Sequence, residues 1–215
     1  MIYINDIPWI ESDNDVYRSA VIDALEQRPS RISEFNTEFF GLKSNSRLLS
    51  LYSPDSVAFT EMAVFPSMLS DCDLYIKTSA KNYVKTMNTI KPTHTLMFPC
   101  IYNRIEVDDI DFSECEQLLV GTDLTPMTSL AFLRMAGVKE VYSVYGSTKT
   151  PPVVAFTEAD NHYRWDNVTP SVDIKIVNSK LHVKWNHQQD WWVSDDVIRE
   201  TTTGFEIVEK RYKCV

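Results

Sequence analysis

The sequence has 215 residues, 44% of them apolar and 24% charged, with a net charge of −9. That length carries one large or two small domains with a real core, and no apolar run reaches the roughly 18 residues of a membrane helix, so no membrane partner is expected. Binding to a phosphate backbone needs clustered Lys and Arg, which are missing, so no nucleic-acid partner is expected either.

The first stretch, MIYINDIPWIESDND, turns acidic at once. It has no basic segment followed by an apolar one, which predicts a cytoplasmic protein. NDVYRSAVIDALEQRP then reads as a helix with Tyr17, Val21, Ala24 and Leu25 on one face, Asp13 or Asn14 as cap and Pro29 after its end. RLLSLYS reads as a strand, DSVAFTEMAVFPSML as a buried helix and DLYIKT as a second strand. Ser79 is placed to cap a helix that turns Tyr83, Val84, Met87 and Ile90 inward. THTLMFP and CEQLLVGT are further strands.

TPMTSLAFLRMAG carries a full set of helix signals: Thr125 as N-cap, Pro126 at the first helical position and Gly137 as terminator. EVYSVYG is the strand that follows. Strands alternating with helices predict an α/β fold, a largely parallel sheet flanked by helices over residues 1–150, with 1–44 a divergent N-terminal segment. Ligands of such sheets bind beyond the carboxyl ends of the strands, where VGTD and YGSTK lie.

Beyond residue 150 the pattern changes. PPVVAF, SVDIKIV, KLHVKW, WWVSDDVI and GFEIVEKR alternate apolar with polar, and NSK is a hairpin turn signal. Residues 151–215 are therefore expected to form a small antiparallel β-sheet or barrel subdomain that packs on the first, since 65 residues would be marginal alone.

Candidate chemistry is sparse. Cys72, Cys100, Cys115 and Cys214 form no CxxC, and His94, His162, His182 and His187 are scattered. They read as reduced thiols and ordinary histidines, with no metal site and no catalytic constellation. Trp185, Trp191 and Trp192 suit either a packing seam or a contact with a protein partner.

The order VGTDL, YGSTK, WVSDD, GFEIVEKR resembles the adenylate-forming superfamily of acyl-CoA synthetases, luciferase-like enzymes and peptide-synthetase adenylation domains, collinear over roughly residues 45–213. The resemblance implies a site for an adenylate-like ligand, with ATP or AMP as the candidate cofactor. In it Gly121, Thr122 and Asp123 would line the adenine edge and Tyr145 would stack on the base. Gly146 and Ser147 would shape the turn, Thr148 would meet the α-phosphate, Asp196 the ribose hydroxyls, and Arg211 the ribose at the hinge. The residue types suit those roles: an aromatic face for a base, hydroxyls for a phosphate, a carboxylate for two sugar hydroxyls.

The departures from the family pattern matter as much. Residues 1–44 hold one glycine, Gly41, and nothing like the family's phosphate loop. Lys149 stands where the family has a glutamate for magnesium, so this motif is expected to hold no Mg²⁺; it either meets an anionic ligand group or is a solvated loop lysine. Asp195 and Lys210 replace family glycines, and the sequence ends at the hinge, before the family's small C-terminal domain. Preorganised electrostatics supply much of the rate in such chemistry, and each lost donor costs roughly 3 kcal/mol. The expectation is a pseudoenzyme that binds a nucleotide or adenylate-like ligand without stand-alone ligase activity. The alternatives are an interaction or assembly protein, as a homo-oligomer or hetero-complex, and an adenylating ligase completed by another chain.

Overall fold

A computed structural model describes the chain except residues 80–82, 98–108, 122–126, 147–149, 151–152, 159–160, 171, 186–188 and 210–215. Ile2 and Ile4 alternate with a less buried Tyr3 in β1 (Ile2–Ile4), which turns back through Asn5 and Asp6, both at positive φ, into β2 (Ile7–Pro8). The pair of left-handed residues makes the tight turn that suits a twisted hairpin, and Pro8 lies on the outermost strand of the sheet, where a missing N–H costs no ladder bond.

The strands β3 (Arg47–Ser50), β4 (Asp73–Ile76), β5 (His94–Met97), β6 (Gln117–Val120), β7 (Glu140–Tyr145) and β8 (Ala155–Thr157) complete an eight-stranded sheet in the order β2-β1-β4-β3-β5-β6-β7-β8. It is parallel from β1 to β7 and antiparallel only at its two edges. The predicted α/β class and the largely parallel sheet are both present. The strand in PPVVAF pairs with β7, so the large sheet extends past residue 150.

Helices cover both faces, and alternation along the strands sorts the core into two layers. Leu48 and Leu119 face one layer, with Val21 and Ala24 of α1 (Asp15–Leu25), Phe40 of α2 (Arg31–Phe40) and Phe59 of α3 (Val57–Phe59). Leu49, Leu118 and Val120 face the other, with Tyr83 and Met87 of α5 (Tyr83–Ile90) and Leu130 and Leu133 of α6 (Met127–Met135). A strand buried on both faces reads as an unbroken apolar run, and all four β6 residues are buried. Leu25, expected on the buried face of α1, is 37% exposed; Val21 and Ala24 carry that contact.

Helix α2 is not signalled by the hydrophobic pattern, because two of its four buried positions are Ser33 and Asn36. Its ends are well specified: Ser30 and Ser33 form a capping box, and Gly41 terminates it at positive φ. Between α3 and α4 (Phe65–Ser70) the helix widens into a π turn, Thr60–Val64, where the Phe65 N–H reaches the Thr60 carbonyl. The widened turn leads directly into Pro66, which has no N–H to offer a regular helix.

The remaining strands form two three-stranded antiparallel sheets. One runs β10 (Val172–Val177), β11 (Lys180–Trp185), β12 (Trp192–Val193); the other runs β13 (Val197–Glu200), β14 (Gly204–Glu209), β9 (His162–Arg164). The expected NSK turn joins β10 to β11 with Asn178 and Ser179 at positive φ. Val172, Leu181, Val183, Ile198, Phe205 and Ile207 close a third core, and Tyr145 of the large sheet belongs to it.

Candidate functional site

The site begins where two neighbouring parallel strands end. Val120 of β6 registers with Ser143 of β7, so Gly121 comes beside Val144. A Cβ on Gly121 would sit 2.8 Å from the Val144 Cγ2 methyl. The glycine permits that close approach, and its backbone is not left-handed. Gly146 follows β7 directly and is half-buried.

Strand alternation decides what Tyr145 meets. Val141 and Tyr145 share a face of β7; the first packs in the α6 layer and the second in the antiparallel core. The Tyr145 ring is 2% exposed, with its centroid 5.9 Å from that of Tyr163 and 6.2 Å from that of Phe205. Its hydroxyl donates to Asp196 Oδ2 at 2.9 Å. Burial, and then the Asp196 carboxylate, push the phenol well above its ordinary value, so it remains a neutral donor. Two residues earlier, Ser143 Oγ lies 3.1 Å from the Tyr163 hydroxyl.

Asp196 lies in the link between β12 and β13, and that link is tied to the β10–β11 hairpin. The Ser194 N–H donates to the Leu181 carbonyl at 2.8 Å, the Leu181 N–H returns to Ser194 Oγ at 3.2 Å, and the Ile198 N–H reaches the Ser179 carbonyl at 2.9 Å. The Lys180 ammonium donates to the carbonyls of Asp195 and, at 3.2 Å, Asp196. Asp195 is exposed while Asp196 is half-buried, so the two adjacent acids do not share one site.

Of the ten residues expected at the site, Tyr145, Gly146, Gly121 and Asp196 are described, and Tyr145 and Asp196 are in direct contact. Thr122, Asp123, Ser147, Thr148, Lys149 and Arg211 lie outside the described residues. Lys180 and Ser194 did not stand out in the sequence, because one reads as a hairpin residue and the other as a strand end. Among the described residues no group of three His, Cys, Asp or Glu could hold a metal ion. Cys72 and Cys115 are buried, and burial holds the Cys115 thiol up at about 12. Trp192 packs against the third core, whereas Trp191 has Lys175 Nζ 4.0 Å and Lys184 Nζ 5.2 Å from its ring centroid.

A largely parallel sheet followed by two small antiparallel sheets is a fold that this chain shares with several solved structures. E. coli MenE with a bound phenylether-linked analogue of OSB-AMS is similar at a TM-score of 0.66 and 16% identity, over 84% of this chain and 44% of that one. The luciferase-like enzyme of the nonluminescent mealworm Zophobas morio gives 0.62 and 15%, over 92% and 54%. The N-terminal subdomain of Klebsiella oxytoca NpsA, in complex with anthranilyl-AMSN, gives 0.63 and 10%, over 83% and 58%. The chain thus spans about half the length of these solved proteins. Neither a protein-family model nor a curated protein matches the sequence.

Proposed function

We propose that this protein binds a nucleotide or adenylate-like small molecule at the end of β7, and that it has no ligase activity by itself. The observation that carries this reading is the meeting of Tyr145 with Asp196 at that strand end. The family pattern assigns Tyr145 to the base and Asp196 to the ribose. Of the proteins similar in fold, MenE has a bound analogue of OSB-AMS and the NpsA N-terminal subdomain is in complex with anthranilyl-AMSN. The missing activity rests on Lys149, a cation where the pattern has the ligand of a metal cation, and on Asp195, a side chain where it has glycine.

Thermal-shift titration with ATP, AMP and a non-hydrolysable acyl-adenylate tests the reading. A ligand at about 100 times its Kd stabilises by roughly 2.7 kcal/mol, a shift of several degrees. No shift by any of the three at millimolar concentration removes ligand binding.

A second reading is favoured by the burial of Tyr145, 2% exposed, which offers no open ring face to a base in this conformation. On that reading the fold serves as a scaffold for assembly with itself or a partner. Light scattering that shows a monomer across micromolar concentrations counts against self-assembly.

A further inference from the structure

We propose that Lys180 is a positioning residue: it holds the Asp195–Asp196 backbone so that the Asp196 carboxylate is aimed at the end of β7. The proposal rests on the reading of Asp196 as the carboxylate that accepts ligand hydroxyls.

Asp196 is not carried by a strand. It sits between β12, two residues long, and β13, and the β13–β14 register shifts at Val197/Ile198 immediately after it. A carboxylate on such a link has no regular ladder to orient it. Three contacts from the β10–β11 turn replace that ladder. The Ser194–Leu181 exchange fixes the link on one side, and the Ile198–Ser179 bond fixes it on the other. Lys180, between Ser179 and Leu181 in sequence, takes the two carbonyls that remain in the middle.

One ammonium accepted by two successive carbonyls draws both oxygens toward the same side of the chain. That sets the peptide planes around Asp196 and with them the direction of its Cα–Cβ bond. The outcome is visible at the other end of the side chain, where Asp196 Oδ2 meets the Tyr145 hydroxyl. Lys180 reaches Asp196 at its backbone carbonyl. Its effect travels through the backbone.

The test uses the full chain labelled with [¹³Cζ]tyrosine. Tyr145→Phe identifies the Tyr145 resonance, and Asp196→Asn defines its position when the carboxylate is lost. Lys180→Met keeps the aliphatic stem and removes the donors, while Lys180→Arg restores them. A positioning role predicts that Lys180→Met moves the Tyr145 resonance toward its Asp196→Asn position and that Lys180→Arg returns it. Tyr163, bonded to Ser143, stays in place as the internal control. An unmoved Tyr145 resonance in Lys180→Met, or an equal displacement of Tyr163, overturns the proposal.

A second arm compares AMP with 2′,3′-dideoxy-AMP by calorimetry. Wild type is expected to prefer AMP about tenfold, the order of a hydrogen bond to a charged group, and Lys180→Met to lose that preference. If wild type binds neither nucleotide, the ligand-binding reading fails, while the tyrosine resonance still decides the role of Lys180.

Discussion

The Tyr145 hydroxyl donates to the Asp196 carboxylate across 51 positions of sequence, and so fastens the end of the parallel sheet to the antiparallel half. The bond is made by a neutral phenol to an ionised acceptor beside a ring that is 2% exposed. Removing the hydroxyl takes this bond from a half-buried carboxylate. Tyr145→Phe is therefore expected to lower stability by about 1.5–3 kcal/mol, the range for a hydrogen bond to a charged group. Urea unfolding followed by tryptophan fluorescence measures it; a loss below about 0.5 kcal/mol means the bond does not hold the two halves together.

Two glycines differ in what surrounds them, and the difference predicts their tolerance. A Cβ on Gly204 would lie 2.0 Å from the Tyr163 carbonyl oxygen and 2.8 Å from Arg164 Cα, all backbone of the paired strand β9. Gly204→Ala is expected to break that pairing and to yield insoluble protein. A Cβ on Gly121 meets a methyl group, so Gly121→Ala should cost about 1–3 kcal/mol. Val144→Ala in the same chain should recover part of that loss. Equal solubility and stability for the two glycine variants contradicts this ranking.

Glu61 lies in the π turn, 8% exposed, and its Oε2 accepts from Ser30 Oγ at 2.6 Å and Ser33 Oγ at 2.5 Å. Those serines cap α2, so the carboxylate also sits at the positive end of that helix. Asn36 Nδ2 adds a bond to the Glu61 carbonyl at 2.8 Å. Glu61→Gln is expected to destabilise by roughly 1–3 kcal/mol through loss of the charge-assisted bonds. Hydrogen exchange should localise the effect to α2; uniform exchange across the chain would argue for a different origin.

His94 gives a pH dependence with a definite sign. It is 1% exposed, and burial lowers its pKa from 6.5, with Glu116 and Glu140 partly opposing and Lys43 adding to the fall. Between the folded value and 6.5 the unfolded chain binds a proton that the native chain does not. Stability from this group is complete above the unfolded value and is lost as pH falls through the folded one. The urea midpoint should therefore drop as pH falls below about 6.5, and His94→Gln should flatten that part of the profile. An unchanged slope in the variant assigns the acid sensitivity elsewhere.

Much of the architecture was legible because local rules agree with the global fold. The Gly137-terminated α6, the doubly buried LLV of β6 and the Asn178–Ser179 hairpin each carry their signal within a few residues. Elements whose stability comes from distant partners were not legible. Helix α2 buries Ser33 and Asn36 against Glu61, so its apolar period is broken. Strand β1 is too short to signal itself and is held by pairing with β4. The candidate site divides the same way: the order of motifs pointed to Tyr145 and Asp196, but nothing in the sequence marked Lys180, whose contacts with Asp195 and Asp196 span 15 and 16 positions.

The linear chain by itself determined the alternation of strands and helices and the change to an antiparallel pattern near residue 150. These follow from side-chain period, which needs no partner. Only the tertiary structure decided that Tyr145 turns into the antiparallel core and bonds Asp196, because which face of a strand is covered depends on what packs there. It also decided that Gly121 is a packing glycine, since the 2.8 Å approach to Val144 arises only once β6 and β7 lie in register.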